Sequence, residues 1–93
     1  MSTSHTDIPT ASASRYLQQL CKHFAHKLPV TFDPAEGRIS FAIGDVDLVA
    51  TDATLRIALT SPDAENLEQL KDVVVRHLAR FAFREELAVN WID

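Results

Sequence analysis

The chain has 93 residues, 46% of them hydrophobic and 24% charged, which is the composition of an ordinary globular protein with room for one domain. Its net charge of −4 argues against a general nucleic-acid binder, since phosphate binding depends on Lys and Arg. The single Cys21 allows no internal disulfide, and no apolar run approaches the roughly 18 residues of a membrane span. The N-terminus also lacks the basic start and apolar run of a signal peptide. We therefore expect a cytoplasmic protein without membrane contact.

The N-terminal residues are small and polar and are interrupted by Pro9. Such a segment buries little apolar surface, so residues 1–11 are predicted to form a disordered tail and residues 12–93 a single α+β domain. Over Ala13–Leu28, apolar residues recur with the spacing of one helical face. Pro29 is expected to end this first helix, because the residue before a proline avoids the α region.

The middle of the chain changes to the two-residue period of half-buried strands. Apolar and polar side chains alternate over Ile39–Ile43, Val46–Ala50 and Leu55–Leu59, and Val30–Phe32 is a shorter candidate strand. Gly44-Asp45 is predicted to close a hairpin, because Gly accepts a positive φ. Short connections of this kind join antiparallel neighbours, so these strands are expected to form an up-and-down meander.

A long amphipathic helix is predicted from Asp63 onward, because its apolar residues recur at i, i+3, i+4 and i+7. Ser61 is the expected N-cap, and Pro62 follows it where a first helical residue has no N–H to lose. After this helix, apolar and polar residues alternate over Leu87–Trp91. This alternation predicts a last strand that joins the sheet.

One apolar stripe on each helix and one apolar face on each strand favour a structure of two layers. The predicted fold class is α+β, with an antiparallel sheet of four to five strands and both helices packed on one of its faces. The predicted order of elements is α-β-β-β-β-α-β. The second face of the sheet carries charged residues and is expected to be solvated.

A cluster of possible metal ligands lies on the first helix. His23 and His26 are three residues apart and close in sequence to Cys21, which are ligand types that a transition metal accepts. At about 100° per residue, however, Cys21 points into the apolar face while His26 points toward the polar side. The geometry therefore disfavours this metal site, and the identity of any metal stays unknown.

His77 lies within the apolar stripe of the second helix. The ordinary interpretation is a core histidine whose ring is hydrogen-bonded to a carbonyl or a carboxylate. The alternative is that His23, at the edge of the first helix, approaches His77. The two imidazoles would then form a paired site lined by Tyr16 and Trp91.

Basic residues of both helices form another candidate surface. Arg76, Arg80 and Arg84 on the second helix, with Lys22 and Lys27 on the first, are expected to converge into a cationic patch. On an acidic protein such a patch suits a small anionic ligand or an acidic partner surface. The ordinary alternative is that these cations are solvated and complement the negative ends of the helix dipoles.

Motifs of common enzyme classes are absent from the sequence, including those of P-loop proteins, zinc proteases, serine hydrolases and dithiol oxidoreductases. No catalytic residue and no cofactor can be assigned from the residues. A small enzyme that uses His77 or His23 as a general acid or base stays an alternative, because imidazole has an unperturbed pKa of about 6.5.

Two blocks, RYLQQLCKHFAHKLPV at Arg15–Val30 and DVVVRHLARFAFREELAVNW at Asp72–Trp91, resemble the bacterial domain-of-unknown-function family DUF2218. The function of that family is not established. The resemblance implies a context, because such domains occur beside or fused to siderophore-interacting, ferric-reductase-like proteins. The residues that match the family pattern are Arg15, Tyr16, Leu20, His23, Phe24, His26, Lys27, His77, Leu78, Arg80, Phe81, Phe83, Arg84, Glu85 and Trp91.

Three functions are consistent with these patterns. The leading hypothesis is a non-enzymatic binding or accessory module in iron–siderophore metabolism, whose partner is a siderophore-interacting reductase or a small anionic ligand. The others are the small histidine enzyme and a homodimeric structural protein that associates through the exposed side or edge of its sheet. The candidate ligand-binding residues are His23, His26, His77, Arg80, Arg84, Tyr16 and Trp91.

Overall fold

The computed structural model describes all 93 residues and contains a five-stranded antiparallel sheet with two helices. Its elements in chain order are β1 (Ser2–Pro9), α1 (Ala13–Phe24), β2 (Val30–Phe32), β3 (Glu36–Phe41), β4 (Gly44–Ala50), β5 (Thr54–Ser61) and α2 (Ala64–Phe81). The strands lie in the order β1-β5-β4-β3-β2, so β2 to β5 form the predicted meander and β1 is added next to β5. The predicted α+β class and antiparallel sheet are confirmed.

Both helices pack on the same face of the sheet, as predicted. Helix α1 contacts β2, β3, β4 and β5, and helix α2 contacts β1, β4 and β5. The alternating apolar residues of the strands meet the apolar stripes of the helices, and their side chains are almost completely buried. The core residues of these stripes and strands include Leu17, Leu20, Ile39, Val46, Leu48, Leu55, Ile57, Leu59, Leu70, Val74 and Leu78.

The N-terminal segment is ordered, so the prediction of a disordered tail over residues 1–11 is corrected. Strand β1 pairs with β5 along its whole length, with Ile8 opposite Leu55. Ile8 and Thr6 are completely buried, and Ser4 is almost completely buried. The hydroxyl of Ser4 donates to the carbonyl of Ile92, and that of Thr6 accepts from the backbone N–H of Asn90. These distant partners allow a polar segment to be buried as a strand.

The C-terminal segment after α2 joins the sheet at the outer edge of β1. His5 and Ile92 form a two-bond antiparallel bridge, with backbone N···O distances of 2.9 and 2.8 Å. The alternating side chains of Leu87, Val89 and Trp91 pack partly buried against the core. The predicted last strand is thus reduced to one bridge, which nonetheless covers the edge of β1 that would otherwise be unpaired.

Two local boundaries differ from the predictions. The β3–β4 connection is Ala42-Ile43 rather than Gly44-Asp45, and Gly44 begins β4 with φ +152°, where a Cβ would collide with the Thr60 carbonyl. Ser61 is not the N-cap of α2. It ends β5 and its hydroxyl donates to Ile43, whereas the Asp63 carboxylate accepts the Asn66 N–H at 2.8 Å and caps the helix.

Neither helix combines the length and the apolarity that crossing a membrane requires.

Candidate functional site

Helices α1 and α2 run in opposite directions and meet at two polar contacts. The early part of α1 contacts the segment after α2 through Tyr16 and Glu85. The last turn of α1 contacts α2 through His23 and His77. The helix–helix interface therefore has the hydrogen-bonded contact of Tyr16 with Glu85 at one end and the two imidazoles at the other.

We call His23 and His77 the imidazole pair. Their ring centroids are 4.9 Å apart and their planes are inclined by 48°. Nδ1 of His77 lies 2.7 Å from the Val73 carbonyl oxygen, one turn earlier in α2. Because a carbonyl only accepts, Nδ1 must donate, and in the neutral ring Nε2 then carries the lone pair. The predicted approach of His23 to His77 is therefore present, and the hydrogen bond to a carbonyl is present as well.

Phenylalanine rings border the imidazole pair. The ring of Phe24 lies 4.9 Å from that of His23 and 4.8 Å from that of His77, and Phe81 lies 5.9 Å from His23. Phe41 of β3 supports Phe24 from the sheet at 4.9 Å. The three phenylalanine rings and half-buried His77 form an apolar border, while the side of the pair at His23 is exposed to solvent.

The pKa of His23 is lowered from its usual 6.5. Desolvation is the largest cause, followed by the neighbouring charges of His77, Arg80, His26 and Lys27. The neutral ring is therefore favoured at pH 7, and His23 offers a lone pair rather than a positive charge. Because Arg80 and Lys27 contribute to this lowering, these two permanent cations lie within electrostatic range of His23.

The basic residues of the protein divide into two groups. Arg38, Arg56, Lys71 and Arg76 each form an ion pair with a carboxylate. The five that form none are Arg15, Lys22, Lys27, Arg80 and Arg84. The unpaired cations all belong to α1, α2 or the turns that follow them, so the helix side carries free positive charge although the whole chain is acidic.

One buried polar atom near this interface has no partner. The side-chain oxygen Oε1 of Gln19 is buried and accepts no hydrogen bond. Gln19 lies four residues before His23 on α1, so both side chains lie on the same face of that helix. A buried acceptor without a donor costs about 1–3 kcal/mol, so Gln19 lowers the stability of the fold.

Tyr16 belongs to the other end of the interface. It is 4% exposed, and its hydroxyl donates to Glu85 at 2.7 Å, while Thr10 donates to the second Glu85 oxygen at 2.9 Å. Desolvation, and next the hydrogen bond to Glu85, raise the pKa of Tyr16, so its hydroxyl stays a donor at neutral pH. The predicted lining of the imidazole pair by Tyr16 and Trp91 is therefore wrong, since neither ring contacts either imidazole.

The other predicted residues are distributed around the site. His26 is exposed in the turn after α1, near enough to affect the pKa of His23. The Arg84 guanidinium lies 5.3 Å from the ring centroid of its neighbour Phe83, and Trp91 packs in the C-terminal segment. Only part of the predicted set, His23, His77, Arg80 and His26, thus gathers at one place.

The arrangement does not support a metal site at Cys21, His23 and His26. Cys21 is completely buried and faces the sheet, where a Cβ added at Gly37 would lie 2.7 Å from its sulfur. Burial raises the pKa of the Cys21 thiol to about 11, so it stays protonated. No group of three or more His, Cys, Asp or Glu side chains is placed to hold a metal ion.

Sequence reasoning missed two parts of the site. Phe24 and Phe81 were expected only as members of apolar stripes, although Phe24 directly follows His23 and Phe81 lies four residues after His77, on the same face of α2. Gln19 gave no signal, because an unpaired buried oxygen is visible only when all neighbouring groups are in place.

The larger concavities of the protein lie elsewhere. Their volumes are about 480, 410 and 250 Å³, and they lie beside β2–β4, beside the β3–β4 turn and between α2 and the C-terminal segment. Neither imidazole lines any of these three. The imidazole pair lies outside these three concavities, and the exposure of His23 makes it a place of surface contact with a ligand.

Comparisons with known proteins agree with the fold. The solved "NMR structure of PA4090 from Pseudomonas aeruginosa" is 37% identical to this chain, with a TM-score of 0.83, and the match covers 99% of this chain and 96% of that chain. No curated protein matches. The family model described as "Uncharacterized protein conserved in bacteria (DUF2218)" matches residues 5–92. The chain therefore belongs to the DUF2218 family of uncharacterised bacterial proteins.

Proposed function

We propose that the protein is a non-enzymatic binding module that holds a small anionic ligand at the imidazole pair. The observation that carries the proposal is the pair itself: two imidazoles meet at 4.9 Å beside cations that have no carboxylate partner. An anion placed there gains attraction from Arg80 and Lys27 without first displacing an existing ion pair.

The chemistry of the site favours an anion with some apolar surface. Arg80 provides a planar set of donors that suits carboxylate or phosphate oxygens, and Lys27 provides a mobile point charge. Phe24 and Phe81 border the imidazoles and offer ring faces to an apolar or aromatic ligand group. A bare inorganic anion would contact the cations but would gain nothing from the phenylalanine rings, so an organic anion is the better match.

The resemblance to DUF2218 supplies the biological setting for this proposal. Domains of this family occur near siderophore-interacting reductases, so a ferric siderophore, an anionic chelate with organic surface, is the ligand class to test first. The same surface would alternatively face a reductase partner. Either occupant would meet the cations of α1 and α2, and the location of this encounter would be cytoplasmic.

A titration of selectively labelled protein tests this function. Backbone and imidazole proton–nitrogen resonances are followed while citrate, phosphate and ferric siderophores are added separately. Saturable shifts at His23, His77 and Arg80 are expected, and they should be larger for organic anions than for phosphate. If no anion shifts these residues more than it shifts the open face of the sheet, the proposal fails.

Two arginines on α2 provide a matched pair of variants. Arg80→Gln should weaken anion binding by about fivefold, because it removes a free cation near the pair. Arg76→Gln should leave the affinity unchanged, because the Arg76 guanidinium is already paired with Asp72 at 2.9 Å. Equal effects of the two substitutions would show that binding depends on net charge alone and would contradict a local site.

The alternative of a small histidine enzyme has one supporting observation, the lowered pKa of His23, which keeps a neutral base available at pH 7. A reaction would also need a substrate enclosed near the ring, and the shallow pair offers less enclosure than the concavities elsewhere. Turnover that is lost in His23→Gln but not in Arg80→Gln would favour the enzyme over the binding module.

A further inference from the structure

We propose that the imidazole pair coordinates a transition-metal ion directly, and that its ligand is an anionic chelate in which the metal keeps two adjacent open positions. This inference rests on the proposed anion-binding function and specifies the ligand class. In the complex, one nitrogen of His23 and Nε2 of His77 each displace a metal-bound water. The cations beside the pair then hold the negative charge of the chelate.

The hydrogen bond of His77 has the arrangement of a metal-binding histidine. Metal-ligating histidines almost always donate their other ring N–H to a carbonyl or a carboxylate, which fixes the tautomer and the ring orientation. His77 does this through Nδ1 and the Val73 carbonyl at 2.7 Å. Its Nε2 is therefore the free donor atom, held in a defined direction before any metal arrives.

The separation of the two rings suits a shared ion. Imidazole nitrogens bind such metals at about 2.0–2.1 Å, so two rings that bind the same ion have centroids a few ångströms apart. The observed distance of 4.9 Å is in this range. His23 is at the exposed end of α1 and its ring is not hydrogen-bonded, so it can turn toward a shared ion at the cost of its edge contacts with Phe24 and Phe81.

The residues around the imidazole pair favour a chelated metal over a bare metal ion. No third His, Cys, Asp or Glu is placed beside the pair, so the protein supplies only two ligands of this kind. Arg80, Lys27 and His26 lie within electrostatic range of His23, and positive charge there repels a free dication. An anionic chelator removes both difficulties, since it fills the other positions and reverses the sign of the charge.

Four probes distinguish coordination of the metal by the imidazoles from simple attraction between the cations and an anionic chelate. Nickel nitrilotriacetate is an anionic chelate with two open adjacent positions, whereas nickel ethylenediaminetetraacetate is an anionic chelate whose positions are filled by its own chelator. Free nitrilotriacetate and aqueous nickel complete the set. Affinities are measured by calorimetry, and paramagnetic broadening of the imidazole resonances locates the metal.

The expected result is that nickel nitrilotriacetate binds at least about tenfold more tightly than each of the other three probes. His23→Gln and His77→Gln should each remove this advantage, while His26→Gln, the control for surface imidazoles, should keep it. The proton–nitrogen spectrum of each variant verifies that it is folded. Loss of the advantage in a folded His77→Gln protein is the critical observation.

Other outcomes overturn the inference in distinguishable ways. If the open and the filled nickel chelates bind equally, the metal is not coordinated, and the anion-binding function stands without it. Tighter binding of aqueous nickel than of the chelate would contradict the role of the cations. If none of the four binds and no organic anion does so either, both the inference and the proposed function fail.

Discussion

Both ends of the α1–α2 interface carry polar side chains, but the polar groups of the two ends differ in whether they have partners. At the end formed by Tyr16 and Glu85, both carboxylate oxygens accept a hydrogen bond from a hydroxyl, one from Tyr16 and one from Thr10. At the end formed by His23 and His77, only Nδ1 of His77 is bonded, to the Val73 carbonyl, while the nearby cations Arg80 and Lys27 have no carboxylate partner. The first end stabilises the fold, and the second is where we propose that a ligand binds.

The difference teaches that satisfied and unsatisfied polar groups are a better guide to function than residue type. Folding alone explains the Tyr16–Glu85 contact, because a buried hydroxyl requires an acceptor. It does not explain why two imidazoles meet beside cations that have no carboxylate partner. Four predictions test whether the two ends are separable in this way.

The largest effect is expected for Glu85→Ala. This substitution leaves the hydroxyls of Tyr16 and Thr10 without their acceptor, and both residues are buried, so the free energy of unfolding should fall by about 2–3 kcal/mol. Urea denaturation followed by circular dichroism measures this loss. Binding of nickel nitrilotriacetate to the folded variant should be unchanged.

Glu86→Ala is the matched control, since the Glu86 side chain makes no hydrogen bond or ion pair and its removal should cost less than about 0.5 kcal/mol. The comparison of the two ends would be contradicted if Glu85→Ala weakened chelate binding as much as His77→Gln does.

A smaller loss, about 1 kcal/mol, is expected for Tyr16→Phe. The hydroxyl and its requirement for a partner disappear together, while Glu85 keeps the bond from Thr10. A double-mutant cycle with Glu85→Ala measures the coupling. Glu85→Ala should cost clearly less in the Tyr16→Phe background than in the wild type. Strict additivity of the two losses would show that the observed hydrogen bond contributes nothing to stability.

Gln19→Leu should raise the free energy of unfolding by about 1 kcal/mol, because an apolar side chain of similar size replaces a buried acceptor without a donor. The same variant should bind the chelate as tightly as the wild type, because the buried oxygen is closed to a ligand at the surface. Gln18→Leu is the control on the neighbouring position, where the amide donates to Ser14 and the substitution should not stabilise. Both experiments use thermal or urea unfolding, and a destabilised Gln19→Leu protein would contradict the unpaired state of the Gln19 oxygen.

The smallest effect is a change in the pH dependence of stability. The pKa of His23 is lowered in the folded protein from the value of 6.5 that it has when unfolded. Below pH 6.5 the unfolded chain therefore binds a proton that the folded chain does not, so the contribution of His23 to stability decreases as the pH falls through this window. His23→Gln should make stability less sensitive to acid between pH 7 and pH 5. Denaturation curves with the same slope against pH for both proteins would contradict the lowered pKa.

The core of the fold was predictable, because its signals are local. The periods of 3.6 and 2 in the sequence located both helices and four of the five strands, and the apolar residues of these patterns form the core. Strand β1 was not predictable in this way. Its buried residues include Ser4 and Thr6, whose partners lie more than eighty residues away in the chain. The expected cap at Ser61 failed for the same reason, since that hydroxyl bonds to Ile43 across the sheet.

For the candidate site, the sequence predicted the residue types and only part of their arrangement. His23 and His77 were expected to approach one another, and they do so at 4.9 Å, whereas Tyr16 and Trp91 were expected beside them and are not. The aromatic border of Phe24 and Phe81 and the unpaired Gln19 were not anticipated. Which side chains gather depends on how two helices are rotated about their axes, and the apolar stripes restrict this rotation without fixing it.

The sequence by itself determined the elements with a clear hydrophobic period, the two-layer class and the acidic balance of the chain, because burial of one face leaves a regular record along the residues. Only the tertiary structure decided which polar groups find partners. In the folded protein Tyr16 bonds to Glu85, and β1 pairs with β5 on one side and with the C-terminal segment on the other. The cations beside the imidazole pair are left without a carboxylate partner. Hydrogen bonds and ion pairs require atoms to meet within about 3 Å, and such encounters between distant residues are set by packing rather than by sequence period.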